Sequence, residues 1–237
     1  MNVRYPLWMT KSILKQSLQG LAFLHRNGIA HGDLQPGNML FALNNIDSIP
    51  EDLLRQEEDV EAGSISAPVQ RLDAYFFTDP PKRPITPVGL RATELILTGA
   101  VNDTLDVWSF GCIFFELITG EQLFCVPYSE MEDDDYYLSL TTQLGSLPDE
   151  LFKHRRTSSL YFTHERKLFN CQLGGVAPGK EPLMLEQESM EESFDRAAPD
   201  LGEEEARKVK ALIRWILQYE PAKRPSAAEI LSEVPRD

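Results

Sequence analysis

The sequence predicts a mainly α-helical fold with a few short strands, and three observations carry that expectation. Apolar residues recur at three- and four-residue spacing in several separate stretches, as helices with one buried face require. Glycines and prolines stand where those stretches would have to stop. No alternation of strand-like and helix-like stretches suggests a parallel sheet, and no internal repeat is visible.

Taken in order, the first helix runs from Trp8 to Arg26, with Leu14, Leu18, Leu21 and Leu24 as its apolar face and Asn27-Gly28 as a left-handed stop. The segment IAHGDLQPGNMLF follows, a loop that its closing residues Met39, Leu40 and Phe41 carry into a short strand. Residues 44–71 are polar and turn-rich and read mostly as loop. Thr104 as N-cap, an apolar body from Leu105 to Ile118 and Gly120 just beyond predict a second helix, apolar nearly all round and therefore central. A third begins among Asp133, Asp134 and Asp135, whose charges suit a helix N-terminus, and stops at Gly145. From Leu160 to Gly202 the pattern weakens. Helical order returns over 203–218, where Val209, Leu212, Ile213, Ile216 and Leu217 form one stripe, and Pro221 ends it. Ser226 and Glu229 have capping-box spacing ahead of Ile230 and Leu231.

Composition narrows the function classes. The chain has 237 residues, 42% of them hydrophobic, enough for one sizeable core. The densest apolar stretch, Val107 to Ile118, is broken by Ser109, Gly111 and Glu116, so no membrane span is expected. The N-terminus lacks an apolar core followed by a small-residue cleavage site. Cys112, Cys125 and Cys171 are odd in number and widely spaced, as in reduced thiols. Together these predict an intracellular protein, cytoplasmic or nuclear. A net charge of −14 argues against direct binding to nucleic acid, which needs cations to displace counterions, and suits a basic protein partner. The acidic clusters at 130–135 and 181–205 read as solvated faces.

Four motifs then stand in one order. His31-Gly32-Asp33-Leu34-Gln35-Pro36-Gly37-Asn38 resembles the catalytic loop of eukaryotic protein kinases, His-Arg-Asp-Leu-x-x-x-Asn. Leu90-Arg91-Ala92-Thr93-Glu94 resembles the Ala-Pro-Glu segment that closes the activation loop, with Thr93 in place of proline. Asp106-Val107-Trp108-Ser109-Phe110-Gly111 is similar to the start of the family's buried central helix. Lys223-Arg224-Pro225 is similar to its late arginine turn. The arginine before Ala92 and the long segment between Gly145 and Glu203 point to the group of cyclin-dependent, mitogen-activated and SR-protein kinases. Within it the chain most resembles fungal relatives of the SR-protein kinases, which phosphorylate serines in Arg/Ser-rich proteins.

The resemblance implies a serine/threonine protein kinase that uses ATP and magnesium. Asp33 would orient the substrate hydroxyl and accept its proton. Asn38 would give an amide oxygen to magnesium and line the nucleotide site with Gln35. His31, Glu94, Asp106, Trp108 and Arg224 would be structural, with Glu94 and Arg224 as a buried ion pair and Asp106 bonded to the catalytic-loop backbone. Several departures are visible. Gln35 stands where the family has a lysine, Gly32 where it has an arginine, and no Asp-Phe-Gly lies between Asn38 and Glu94. Leu72-Asp73-Ala74 is the nearest substitute and makes Asp73 the candidate second metal ligand. The chain, 1–237, is expected to be a kinase domain present as its C-terminal lobe, without the N-terminal β lobe. It would comprise the catalytic loop 31–38, a truncated activation segment about 72–94, the central helix about 104–119, a group-specific insertion about 145–202 and terminal helices about 203–233. Lacking those parts, it is expected to be inactive unaided. The alternatives are a non-catalytic pseudokinase lobe that binds a protein partner, and a truncated product.

Overall fold

The structure, a computed structural model, describes residues 4–42, 86–98, 102–126, 131–154 and 156–233. The chain divides into two compact units, Met1–Pro36 with Ile85–Asp237, and Gly37–Pro84. Of the second, residues 37–42 are described: the end of a 3₁₀ turn, Pro36–Asn38, followed by irregular chain. Met39–Phe41, expected to enter a short strand, are irregular chain.

The first unit is helical. Helix α1 (Leu7–Arg26) buries Thr10, Leu14, Leu18 and Leu21, and Gly28, at φ 72°, supplies the left-handed turn beyond its end. Helix α2 (Thr93–Thr98) is short and escapes any periodicity test. Helix α3 (Thr104–Thr119) is the centre: of its residues only Thr104 and Glu116 reach appreciable solvent, and Gly120 at φ 76° caps it. Thr104 is not the N-cap expected of it. It is the first helical residue, and the Asn102 side chain accepts its N–H at 3.1 Å, a role the shorter spacing to an asparagine serves equally well.

Helix α4 (Glu132–Leu144) has four acidic residues in its first turn and stops at Gly145. Helix α5 (Asp149–His154) precedes the stretch from Leu160 to Gly202 where the pattern weakens, helix α6 (Met190–Ala197) lies within it, and a capping box at Ser189 and Glu192 starts the latter. Helix α7 (Glu203–Ile216) buries Ala206, Ile213 and Ile216 against α3. Helix α8 (Ala227–Glu233) starts at the Ser226–Glu229 capping box, with both reciprocal bonds made, and packs on α1. Among the described residues β structure is reduced to one isolated bridge, Phe162 with Leu168. No described helix is long and apolar enough to cross a membrane.

The segment between α4 and α6 is ordered from inside by two buried polar residues. Asp134 accepts from the Thr157 hydroxyl and the Tyr161 hydroxyl, both at 2.8 Å, and the Tyr161 oxygen accepts the Gly174 N–H. Asn170, fully buried, donates to the carbonyls of Leu160 and Gln172 and accepts from the N–H groups of Gln172 and Leu183. Such fully satisfied networks specify a loop's path where apolar periodicity is absent.

At Gly111 the backbone of α3 comes against α7: a Cβ there would stand 2.6 Å from Leu217 Cδ2 and 2.8 Å from Ile216 Cγ2. Gly111→Ala is therefore expected to destabilise the fold by about 1–3 kcal/mol through overpacking, read as a lower urea midpoint at unchanged slope.

Candidate active site

Asp106, in the first turn of α3 and 1% exposed, gathers three donors. Its Oδ2 accepts the His31 N–H at 2.7 Å and its Oδ1 accepts the Gly32 N–H at 2.8 Å. His25 Nε2, near the end of α1, meets Oδ2 at 2.9 Å. One buried carboxylate thus holds two consecutive backbone amides of the 31–38 loop and ties them to α1. Gly32 sits at φ 75°, a conformation that glycine takes without strain.

On this anchored backbone stands Asp33. Its N–H donates to His31 Nδ1 at 3.3 Å, and the Gln35 amide donates to Asp33 Oδ1 at 2.8 Å. Gln35 therefore presents a donor to the carboxylate but no charge to anything beyond it. Asn38 closes the 3₁₀ turn Pro36–Asn38 and belongs to the second unit. Asp73 lies outside the described residues.

A second wall is built by residues 86–92. The Thr86 hydroxyl donates to the Gly32 carbonyl at 2.8 Å, and Arg91 Nε donates back to the Thr86 carbonyl at 2.8 Å. Ser109 from α3 donates to the Leu90 carbonyl at 2.8 Å, and the Tyr136 hydroxyl from α4 to the Arg91 carbonyl at 2.6 Å. Gly89 approaches so closely that a Cβ would lie 2.4 Å from the Phe124 carbonyl oxygen.

Between this wall and α3 runs a groove of about 430 Å³, lined among others by Gln35, Val88, Cys112, Glu116, Phe124 and Glu132. Burial pushes the Glu116 carboxyl above its ordinary value, and it pushes the Cys112 thiol up as well, so that the thiol is neutral. Glu132 faces Arg91 Nη1 at 3.6 Å. The groove beside Gln35 thus carries two carboxyl groups, one of them paired with Arg91.

Beneath the wall, Arg224 makes a fork-to-fork pair with Glu94, Nη1 to Oε1 at 2.6 Å and Nη2 to Oε2 at 2.7 Å. Its remaining donors reach the carbonyls of Gln218, Thr104 and Tyr219, and its guanidinium lies 4.9 Å from the centre of the Trp108 ring. Thr93 donates its hydroxyl to the Tyr219 carbonyl at 3.1 Å, a bond that proline could not make.

Residues 81–234 match the protein kinase domain, and residues 4–153 match the protein tyrosine and serine/threonine kinase domain. The chain belongs to the protein kinase domain family. Its relatives include the serine/threonine-protein kinase SRPK of Physarum polycephalum, 27% identical over 95% of this chain and 60% of that protein. Human dual specificity protein kinase CLK2 is 28% identical over 96% of this chain and 43% of its own length. Dual specificity protein kinase lkh1 of Schizosaccharomyces pombe is 25% identical over 97% of this chain and 32% of its own. The chain thus spans between about a third and three fifths of these relatives, and as a kinase domain it is of the SR-protein-kinase-like kind.

Sequence reasoning missed His25, Thr86, Glu116 and Glu132. The first two act through single contacts across 81 and 54 residues of chain, for which no local pattern exists. Glu116 left one trace, a lone carboxylate in the otherwise apolar body of α3.

Removing the Arg224 charge takes from buried Glu94 its fork-to-fork partner. Arg224→Met is expected to cost about 3–5 kcal/mol in denaturant unfolding, whereas changing Glu94 and Arg224 together to apolar residues costs less than the single change.

Proposed function

We propose that this kinase domain serves transfer of the γ-phosphoryl group of ATP to serine or threonine hydroxyls of basic, Arg/Ser-rich protein segments. The observation that carries the reading is Asp33, a carboxylate on a loop whose backbone is locked by Asp106 and which opens beside a groove that carries two carboxyl groups. Phosphoryl transfer depends mainly on positioning and charge. Asp33 would accept the proton of the substrate hydroxyl as its oxygen bonds to phosphorus, with ADP as leaving group. Gln35 would hold the Asp33 carboxylate in the acceptor orientation. Glu116 and Glu132 would take the substrate's guanidinium groups.

Magnesium, which neutralises phosphate charge, takes oxygen ligands and keeps waters and phosphate oxygens among them. The amide oxygen of Asn38 fits that chemistry, and Asp73 is the carboxylate that would join it. Among the described residues no group of three or more His, Cys, Asp or Glu could hold a metal by itself. In domain terms, we read residues 31–38 as the catalytic loop, about 72–94 as a shortened activation segment and about 145–202 as the group-specific insertion, within a lobe of fungal SR-kinase type acting inside the cell in cytoplasm or nucleus. A second reading, a binding lobe without turnover, is favoured by Gln35, since an amide cannot supply the full positive charge that the family's lysine brings to the transferred group.

Two measurements separate these readings. Magnesium with ATP is expected to raise the melting temperature, as ligand linkage requires, and phosphate incorporation into an Arg/Ser peptide is expected to fall to background in Asp33→Asn. Turnover retained by that variant would overturn the role of Asp33. A folded chain indifferent to ATP would leave the binding lobe as the function.

Substrate recognition has its own signature. Because burial raises the Glu116 carboxyl above its ordinary value, Arg/Ser peptide affinity is expected to be full at neutral pH and to fall as the pH drops through that raised value. Glu116→Gln is expected to weaken binding at neutral pH and to flatten this profile, and raised salt to weaken wild-type binding steeply, both read by peptide fluorescence anisotropy.

A further inference from the structure

No Asp or Glu precedes Asp33, although the chain as a whole has a net charge of −14. The outward side of α1 interleaves aromatic, polar and basic residues: Trp8, Lys15, Gln19, Phe23 and Arg26 recur at spacings that keep them on one side of a helix. Trp8 is 72% exposed and Phe23 57%. Cations near the N-terminal end are satisfied within the chain, Arg4 by Asp200 and Lys11 by Glu205 at 2.8 Å. Lys15 and Arg26 have no carboxylate partner among the described residues; Arg26 lies 5.9 Å over the Phe23 ring instead.

The complementary chemistry is displayed elsewhere on the same unit. The segment Glu181-Pro182-Leu183-Met184-Leu185-Glu186-Gln187-Glu188 is exposed along its whole length, its three apolar side chains by 47, 53 and 58%. It is held in place. The Cys171 N–H donates to the Leu183 carbonyl at 2.6 Å, the Leu183 N–H donates to buried Asn170, and the Ser189 capping box of α6 begins immediately beyond. Consecutive apolar side chains fixed in solvent mark a contact surface.

We propose that these two surfaces are the halves of one contact between copies of this chain, the 181–188 segment of one copy lying along the α1 stripe of the next. Charge selects the occupant. A stripe offering aromatic rings and cations is matched by apolar residues bracketed by carboxylates, and this chain carries both in exposed form. The lengths agree. Lys15 to Phe23 spans about 12 Å along a helix and Phe23 to Arg26 about 4.5 Å more. At the rise of an extended chain, Glu181 to Met184 would span about 10 Å and Met184 to Glu186 about 6.6 Å more. The two partners use different surfaces, so the contact either closes into a small ring or extends as a chain. It is independent of phosphoryl transfer.

Sedimentation velocity of the full chain at rising concentration tests it. Wild-type protein is expected to associate weakly, less so at high salt, and Phe23→Ser to weaken association by at least about tenfold. Two charge-reversed variants, Lys15→Glu with Arg26→Glu and Glu181→Lys with Glu186→Lys, are each expected to be monomeric, while their equimolar mixture associates again. Arg26, Glu181 and Glu186 are exposed and Lys15 is half-buried, and unchanged circular dichroism checks the fold. A synthetic peptide of residues 180–189, labelled and titrated with wild-type protein, is expected to bind and to compete with self-association. A wild-type chain that stays monomeric at every concentration, a mixture that fails to recover association, or a peptide that does not bind would overturn the proposal. So would a 181–188 segment that captures a basic peptide of foreign sequence in place of a second copy.

Discussion

The 31–38 loop has no apolar side to bury except Leu34 and no helical or strand ladder to hold it, so its geometry must come from elsewhere. It comes from Asp106. A carboxylate with two oxygens can satisfy several donors at once, and here it takes two consecutive loop amides and one imidazole in a setting almost closed to water. Charge-assisted bonds to backbone N–H groups are strong in such surroundings and fix direction as well as distance. For Asp106 to work, α3 must be buried, and its apolar composition on every side ensures that it is.

The other wall of the site depends on the same helix. Ser109 holds Leu90, and Trp108 lies under the guanidinium that clamps Glu94. Arg224 spends every donor it has on Glu94 and three carbonyls, so the turn at 221–224, the start of α3 and the 90–94 segment share one polar centre. Thr93 joins that centre through the Tyr219 carbonyl. Where the family resemblance led one to expect proline, a hydroxyl reaches the same carbonyl that Arg224 uses, and a hydrogen bond stands in for ring rigidity.

Acidic residues divide into two kinds. Asp106, Asp134 and Glu94 are buried and satisfied, and they organise backbone and side chains around them. Glu116 and Glu132 instead line an open groove, where Glu132 faces Arg91. Net charge alone cannot tell these kinds apart, because only burial and partners decide whether a carboxylate shapes the fold or faces a substrate.

Sequence by itself determined the long helices and the order of the motifs. The stripe of α1, the all-round apolarity of α3 and the Ser226–Glu229 spacing are local patterns, repeated within a few residues, and local patterns are legible without a fold. What lay beyond it were short helices such as α2, α5 and α6, too brief to show a period, and loop paths set by Asn170 and Asp134. The meeting of His25 with Asp106, the Thr86 bond to Gly32 and the groove around Glu116 were decided by tertiary structure alone. Each is a contact between residues distant in the chain, and no spacing along a sequence encodes a distance across a core.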